Sequence, residues 1–161
     1  MRTLTIIRHG HAEKQSAEID DFERDLDKRG IRQVTEMAVV TKEHGLKVDY
    51  ILTSTATRTL RTANAFAKTL EFPLSRIRHD ERLYLATYRL LSQVIQLIPD
   101  RYEDVIVVGH NPGLTSLVAW LMDDDGMAEL PTSAVCTLAI DLPHWAAIGR
   151  GVATLKRLQT P

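Results

Sequence analysis

The stretch Thr5-Ile6-Ile7-Arg8-His9-Gly10 passes without a break from apolar residues into an arginine, a histidine and a glycine. A short apolar run of this kind reads as a strand of an open α/β sheet. A second run, Val105-Ile106-Val107-Val108, ends in the same way at Gly109-His110. Ligands of open α/β sheets bind in the crevice outside the carboxyl ends of the strands. Two strands ending like this would bring His9 and His110 together around one anion, and the residue types suit a phosphoryl group.

Working outward, the chain reads as strand and helix alternating four times, followed by two C-terminal strands, an α/β pattern. The first helix starts near Asp27 or Lys28, turns Ile31, Val34 and Ala38 inward and stops at Gly45. After Tyr50-Ile51-Leu52, the segment Thr53-Ser54-Thr55-Ala56-Thr57-Arg58 opens a second helix. Ser54 or Thr55 would be its N-cap, and Leu60, Ala63, Ala67 and Leu70 its buried stripe. Leu91, Val94, Ile95 and Ile98 define a third helix that ends at Pro99. Asn111 and Pro112 read as the N-cap and first position of a fourth, with Leu114, Leu117, Val118 and Leu121 inward. Residues 134–142 and 151–158 read as a closing pair of strands, and 12–25 as a charged loop.

The chemistry follows from these placements. A neutral imidazole attacks phosphorus through one ring nitrogen when a hydrogen bond to the other fixes its tautomer, and this part falls to His9. The forks of Arg8 and Arg58 would hold phosphoryl oxygens, each charged hydrogen bond being worth about 1.5–3 kcal/mol. His110 would donate to a nonbridging oxygen, and Gly10 would leave room for close approach. The N-terminus of the fourth helix would add its own attraction for an anion.

In this order, Arg8-His9-Gly10, then Ser54 to Arg58 with Thr62 and Ala63, then Gly109-His110, the chain resembles the histidine phosphatase superfamily, also called phosphoglycerate mutase-like. It looks most like the small phosphohistidine phosphatases of the SixA type, as Arg24, the turn Gly109-His110-Asn111-Pro112-Gly113 and Thr132-Ser133-Ala134 also suggest. The resemblance implies a three-layer α/β sandwich with a mostly parallel central sheet flanked by helices. It implies His9 as the phosphorylated nucleophile, Arg8 and Arg58 as phosphate ligands, His110 as the second pocket histidine and Arg24 as a further anion contact. Asp25 stands where the family usually has a proline after that arginine, and His11 where an acidic or small residue is more common.

At 161 residues the chain is long enough for one core and too short for two ordinary domains. Residues 1–161 are therefore expected to form a single domain, with no inserted cap between Arg58 and His110. Such a pocket admits a phosphorylated side chain displayed on another protein. Glu81, in Asp80-Glu81-Arg82, is the candidate acid for a leaving group that needs one, or else a solvated loop carboxylate. With 44% hydrophobic and 25% charged residues, a net charge of -1 and no long apolar run, the sequence suggests no nucleic-acid surface and no membrane span. A cytoplasmic location is expected. Cys136 stands alone in an apolar segment and reads as a buried thiol. His9 and His11 share a strand face, but Arg8 beside them opposes a cation, so neither a metal nor a cofactor is expected. Three functions are compatible with these residues. They are a phosphatase for protein phosphohistidine, a phosphatase of small phosphate monoesters using Glu81, and a noncatalytic phosphate-binding module.

Overall fold

The computed structural model describes residues 1–161. Six strands form one sheet: β1 (Arg2–Arg8), β2 (Tyr50–Thr53), β3 (Arg78–His79), β4 (Asp104–Gly109), β5 (Val135–Ile140) and β6 (Ala153–Gln159). Four helices accompany it: α1 (Lys28–Glu43), α2 (Thr57–Thr69), α3 (Tyr88–Gln96) and α4 (Gly113–Met122). The strand order is β3-β2-β4-β1-β5-β6. The first four strands in that order run parallel, and β5 and β6 close the other edge in antiparallel fashion.

Alternation along the central strands builds two cores. Leu4 and Ile6 of β1 and Val105 and Val107 of β4 face Leu91 and Ile95 of α3 and Leu117 and Leu121 of α4. Ile7 of β1 and Ile106 and Val108 of β4 face Val34 and Ala38 of α1 and Ala63 and Phe66 of α2. The result is a three-layer sandwich whose central strands are apolar on both sides, which is why they read as continuous runs. No helix is long and apolar enough to cross a membrane.

Some local expectations need correction. Ile31 is exposed, because α1 buries the stripe Gly30, Val34, Met37, Ala38 and Thr41 instead. A Cβ on Gly30 would lie 2.0 Å from the carbonyl oxygen of His11, so this helix seats its first turn directly on the chain after β1. In α2 the buried face is Arg58, Thr59, Thr62, Ala63, Phe66 and Ala67, with Leu60 and Leu70 only partly covered. It begins with polar residues because that end meets a polar crevice and not the core. The α2 cap is Ala56 and not Ser54 or Thr55, and the α4 cap is Pro112 and not Asn111; neither cap offers a side chain.

The crevice lies where β1 leads to a helix on one face of the sheet and β4 to a helix on the other, the switch point of an open α/β sheet.

Candidate active site

The strand register places the histidines. Arg8 pairs with Gly109 across β1 and β4, so the next residue of each strand, His9 and His110, lies beside the other. Their ring centroids are 5.3 Å apart. Thr53 pairs with Val108 on the other side of β4, which carries Ser54 to the same level. All three strands therefore stop on one line, and the side chains just beyond it converge.

Both histidines are buried. His9 Nδ1 lies 2.7 Å from the carbonyl oxygen of Gly10. A carbonyl can only accept, so the proton sits on Nδ1 and Nε2 keeps its lone pair. Arg58 Nε donates toward that Nε2 over 3.4 Å. Burial pushes the His9 pKa down to about 4; the Gly10 bond opposes the fall, and the charges of Arg58, Arg8 and Arg24 deepen it. His110 accepts at Nδ1 from Arg58 Nη2 (3.3 Å) and donates from Nε2 to Ser54 Oγ (2.8 Å). Burial lowers its pKa to about 3, helped by His9 and Arg58 and opposed by Asp21. Near pH 7 both rings are neutral, which suits one to attack and leaves the other free to take a proton as an anion enters.

Arg8 Nη1 donates to the Leu130 carbonyl at 2.8 Å and lies 3.8 Å from Glu129. Its Nε is buried with no partner, as are Thr55 Oγ1 and Ser133 Oγ. Arg8 and Thr55 lie at the carboxyl ends of β1 and β2, and the Ser133 amide donates to the His9 carbonyl. A buried polar atom left unpaired costs about 1–3 kcal/mol, so orphans at this edge call for a ligand with acceptor oxygens. The first turn of α2, which has no side-chain cap, points the same way.

Other sequence-predicted residues are placed differently. Gly10 is required by packing: a Cβ there would lie 2.5 Å from Val34 Cγ2 and 3.2 Å from the Gly30 carbonyl oxygen. Arg24 bonds Asp21 Oδ1 (3.0 Å) and the Glu13 carbonyl (2.7 Å), with no bond to either histidine. Glu81 is exposed, and its carboxylate makes no hydrogen bond or ion pair. His11 bonds Asp27, whose other oxygen caps α1 by accepting from Gly30 N (2.7 Å), so His11 anchors a helix start. No three histidine, cysteine or acidic side chains are grouped to hold a metal. Cys136 is buried on β5, and burial pushes its thiol pKa up to about 11.

Sequence reasoning missed Asp21 and Tyr84. The Asp21 carboxylate accepts from Arg58 Nη2 (3.1 Å), Arg24 Nε and the Tyr84 hydroxyl. Burial pushes its pKa up, but the bonds from Tyr84 and Arg58 and the nearby positive charges outweigh this and bring it to about 2. The Tyr84 ring stands edge-on to His110 at 5.4 Å. Asp21 lay hidden in a charged loop, where nothing set it apart from Asp20, Glu23 and Asp25.

Comparison with known proteins gives the family and the fold. The histidine phosphatase superfamily (branch 1) profile matches residues 4–84. An uncharacterised protein of Mycobacterium tuberculosis is 32% identical over 153 residues, covering 89% of this chain and 92% of that one. Among solved structures, a provisionally named phosphohistidine phosphatase SixA from Agrobacterium tumefaciens superposes with a TM-score of 0.85 at 21% identity, covering 99% of this chain and 98% of that one. The protein histidine phosphatase SixA in complex with tungstate gives 0.83 at 24% identity, covering 98% and 96%. The three-layer sandwich is the phosphoglycerate mutase-like fold of these SixA structures. The chain belongs to the histidine phosphatase superfamily, branch 1, and with it to the phosphatase class of hydrolases.

Proposed function

We propose that the chain hydrolyses phosphohistidine on another protein, passing the phosphoryl group through His9. In the first step His9 Nε2 forms a bond to phosphorus, and the bond from phosphorus to the substrate imidazole breaks, its electron pair staying with the leaving nitrogen. In the second, a water oxygen attacks phosphorus, the bond to Nε2 breaks and inorganic phosphate leaves. Arg58 and the unpaired Nε of Arg8 hold the phosphoryl oxygens, and His110 takes up a proton to donate to one of them.

The observation that carries the substrate class is the state of the carboxylate bonded into this cluster. An alkoxide leaving group needs a proton from an acid with a pKa near the working pH. Asp21 is held ionised, with its pKa at about 2, and Glu81 is exposed and unbonded. A phosphorus–nitrogen bond whose ring is already protonated needs no such acid. The three-layer unit, residues 1–161, is read as one domain with no inserted cap, since β3 and α3 are the sheet and helix elements between α2 and β4. That leaves the pocket open to a side chain on a protein. Beside it, a groove of about 340 Å³ lined by Leu85, Ala86, Tyr88, Pro112 and Gly113 offers an apolar surface to residues flanking the phosphohistidine. The reaction is placed in the cytoplasm.

The test is a rate comparison of wild type and His9→Ala on a phosphohistidine-bearing protein and on a panel of small phosphate monoesters. Faster turnover of the protein substrate, lost in His9→Ala, supports the reading. Preference for an ester, lost on substitution of Glu81, overturns the substrate class, and phosphate binding without turnover of any substrate overturns catalysis.

A further inference from the structure

Arg58 has two working edges, and they face different partners. Nε and Nη2 point toward His9 Nε2 (3.4 Å) and His110 Nδ1 (3.3 Å), both long contacts that phosphoryl oxygens can replace. Nη1 and Nη2 are gripped from behind by Asp21 alone, Nη1 donating to its carbonyl oxygen (2.7 Å) and Nη2 to Oδ2 (3.1 Å). Asp21 is itself fixed. Arg24 donates to Oδ1 (3.0 Å), the Tyr84 hydroxyl donates to Oδ2, and the neighbouring Phe22 ring meets Tyr84 edge-on at 5.1 Å.

We infer that Asp21 is a positioning residue for phosphoryl transfer, gripping the far edge of the Arg58 guanidinium so that its Nε–Nη2 edge is aimed at the space between His9 and His110. This inference rests on the reading of the site proposed above. A free arginine side chain samples many rotamers, and fixing one before the substrate arrives removes that loss from the binding and reaction steps. The grip does not depend on ordinary changes of pH, because Arg58, Arg24 and Tyr84 together keep the carboxylate ionised. Arg24 thereby acquires a part in the site through Asp21, without touching phosphate.

The experiment measures kcat and KM on a phosphohistidine-bearing protein, label transfer from its radiolabelled form to His9, and competitive inhibition by inorganic phosphate for wild type, Asp21→Ala, Asp21→Asn, Arg58→Ala and the Asp21→Ala/Arg58→Ala double variant, with thermal midpoints as a check on folding. Asp21→Ala is expected to lower kcat/KM by about 10- to 100-fold, the range of one charged hydrogen bond, and to weaken phosphate inhibition. Asp21→Asn, which keeps an acceptor oxygen, recovers part of the loss. Because Asp21 acts through Arg58, removing it from Arg58→Ala costs less than about threefold, a coupling that a merely structural role would not produce. An undiminished loss in the Arg58→Ala background overturns the inference. So does tighter phosphate binding by Asp21→Ala, which would make Asp21 a competitor of phosphate for Arg58. Wild type that turns over with no label on His9 overturns the reading of the site itself. Wild type labelled on His9, with Asp21→Ala as fast, overturns the inference alone.

Discussion

At His9 the Gly10 carbonyl fixes the tautomer, because it places the ring proton on Nδ1 and leaves Nε2 with the lone pair that the proposed attack on phosphorus uses. Burial beside arginines then holds both histidines neutral, with pKa values of about 4 and about 3. In an NMR titration of the imidazole protons, the resonances of His9 and His110 are expected to stay at their neutral positions down to pH 5.5. A midpoint near 6.5 for either would contradict this. The same depression links to stability. The unfolded chain binds protons at these histidines from about pH 6.5 downward, whereas the folded one does so only near 4 and 3. Stability is therefore complete above pH 6.5 and lost as the pH falls toward the folded values, at up to about 1.4 kcal/mol per pH unit per histidine. Urea unfolding at pH 7 and pH 5 should show a smaller loss for His9→Ala than for wild type, and an equal loss would exclude His9 as a source. That Arg8, His9, Arg58 and His110 lie at one sheet edge was legible, because Arg8, His9 and His110 stand at the ends of apolar runs and Arg58 opens the helix after a third. Asp21 was not legible, since its significance comes from three partners that are 3, 37 and 63 residues away in sequence.

Among the elements, the two tightest local constraints around the site are Gly113 against the Ala86 carbonyl and the seating of α1 on the chain after β1. Gly10 and Gly30 meet there, and a side chain on either would strike a neighbour, Val34 in one case and the His11 backbone in the other. Gly30→Ala is expected to destabilise the protein by about 3 kcal/mol and Gly10→Ala by about 1–2 kcal/mol, since the His11 carbonyl can move less than a valine methyl. Urea midpoints at pH 7 measure both, and a neutral Gly30→Ala would contradict the packing. Helix positions were legible from periodicity, but helix starts were less so. Ser54 looked like a cap for α2, yet its hydroxyl takes the proton of His110 Nε2. Asn111 looked like the cap of α4, yet its carboxamide oxygen accepts from the Thr115 amide and hydroxyl while its nitrogen donates to Leu130. For Ser54 a tertiary partner outbid the local one, whereas Asn111 still caps the first turn of α4 from one residue before its formal start.

For the whole molecule, the order of elements followed from the apolar runs and the helical stripes. The sheet order did not, because no local feature of β2 says that β4 will lie between it and β1. The meeting of His9 and His110 depends on that arrangement and on the register of Arg8 with Gly109, a long-range fact that two separate strand ends only suggest. The closing strands were legible, but their function was not: β5 covers the other flank of β1, and the turn before it brings Ser133 against His9. The most direct test of the central claim is a single-turnover reaction with a protein carrying radiolabelled phosphohistidine, quenched in alkali and mapped by mass spectrometry. A transient, acid-labile and alkali-stable label on His9, absent from His9→Ala, is the predicted result. Turnover with the label on another residue, or at an equal rate in His9→Ala, would contradict it.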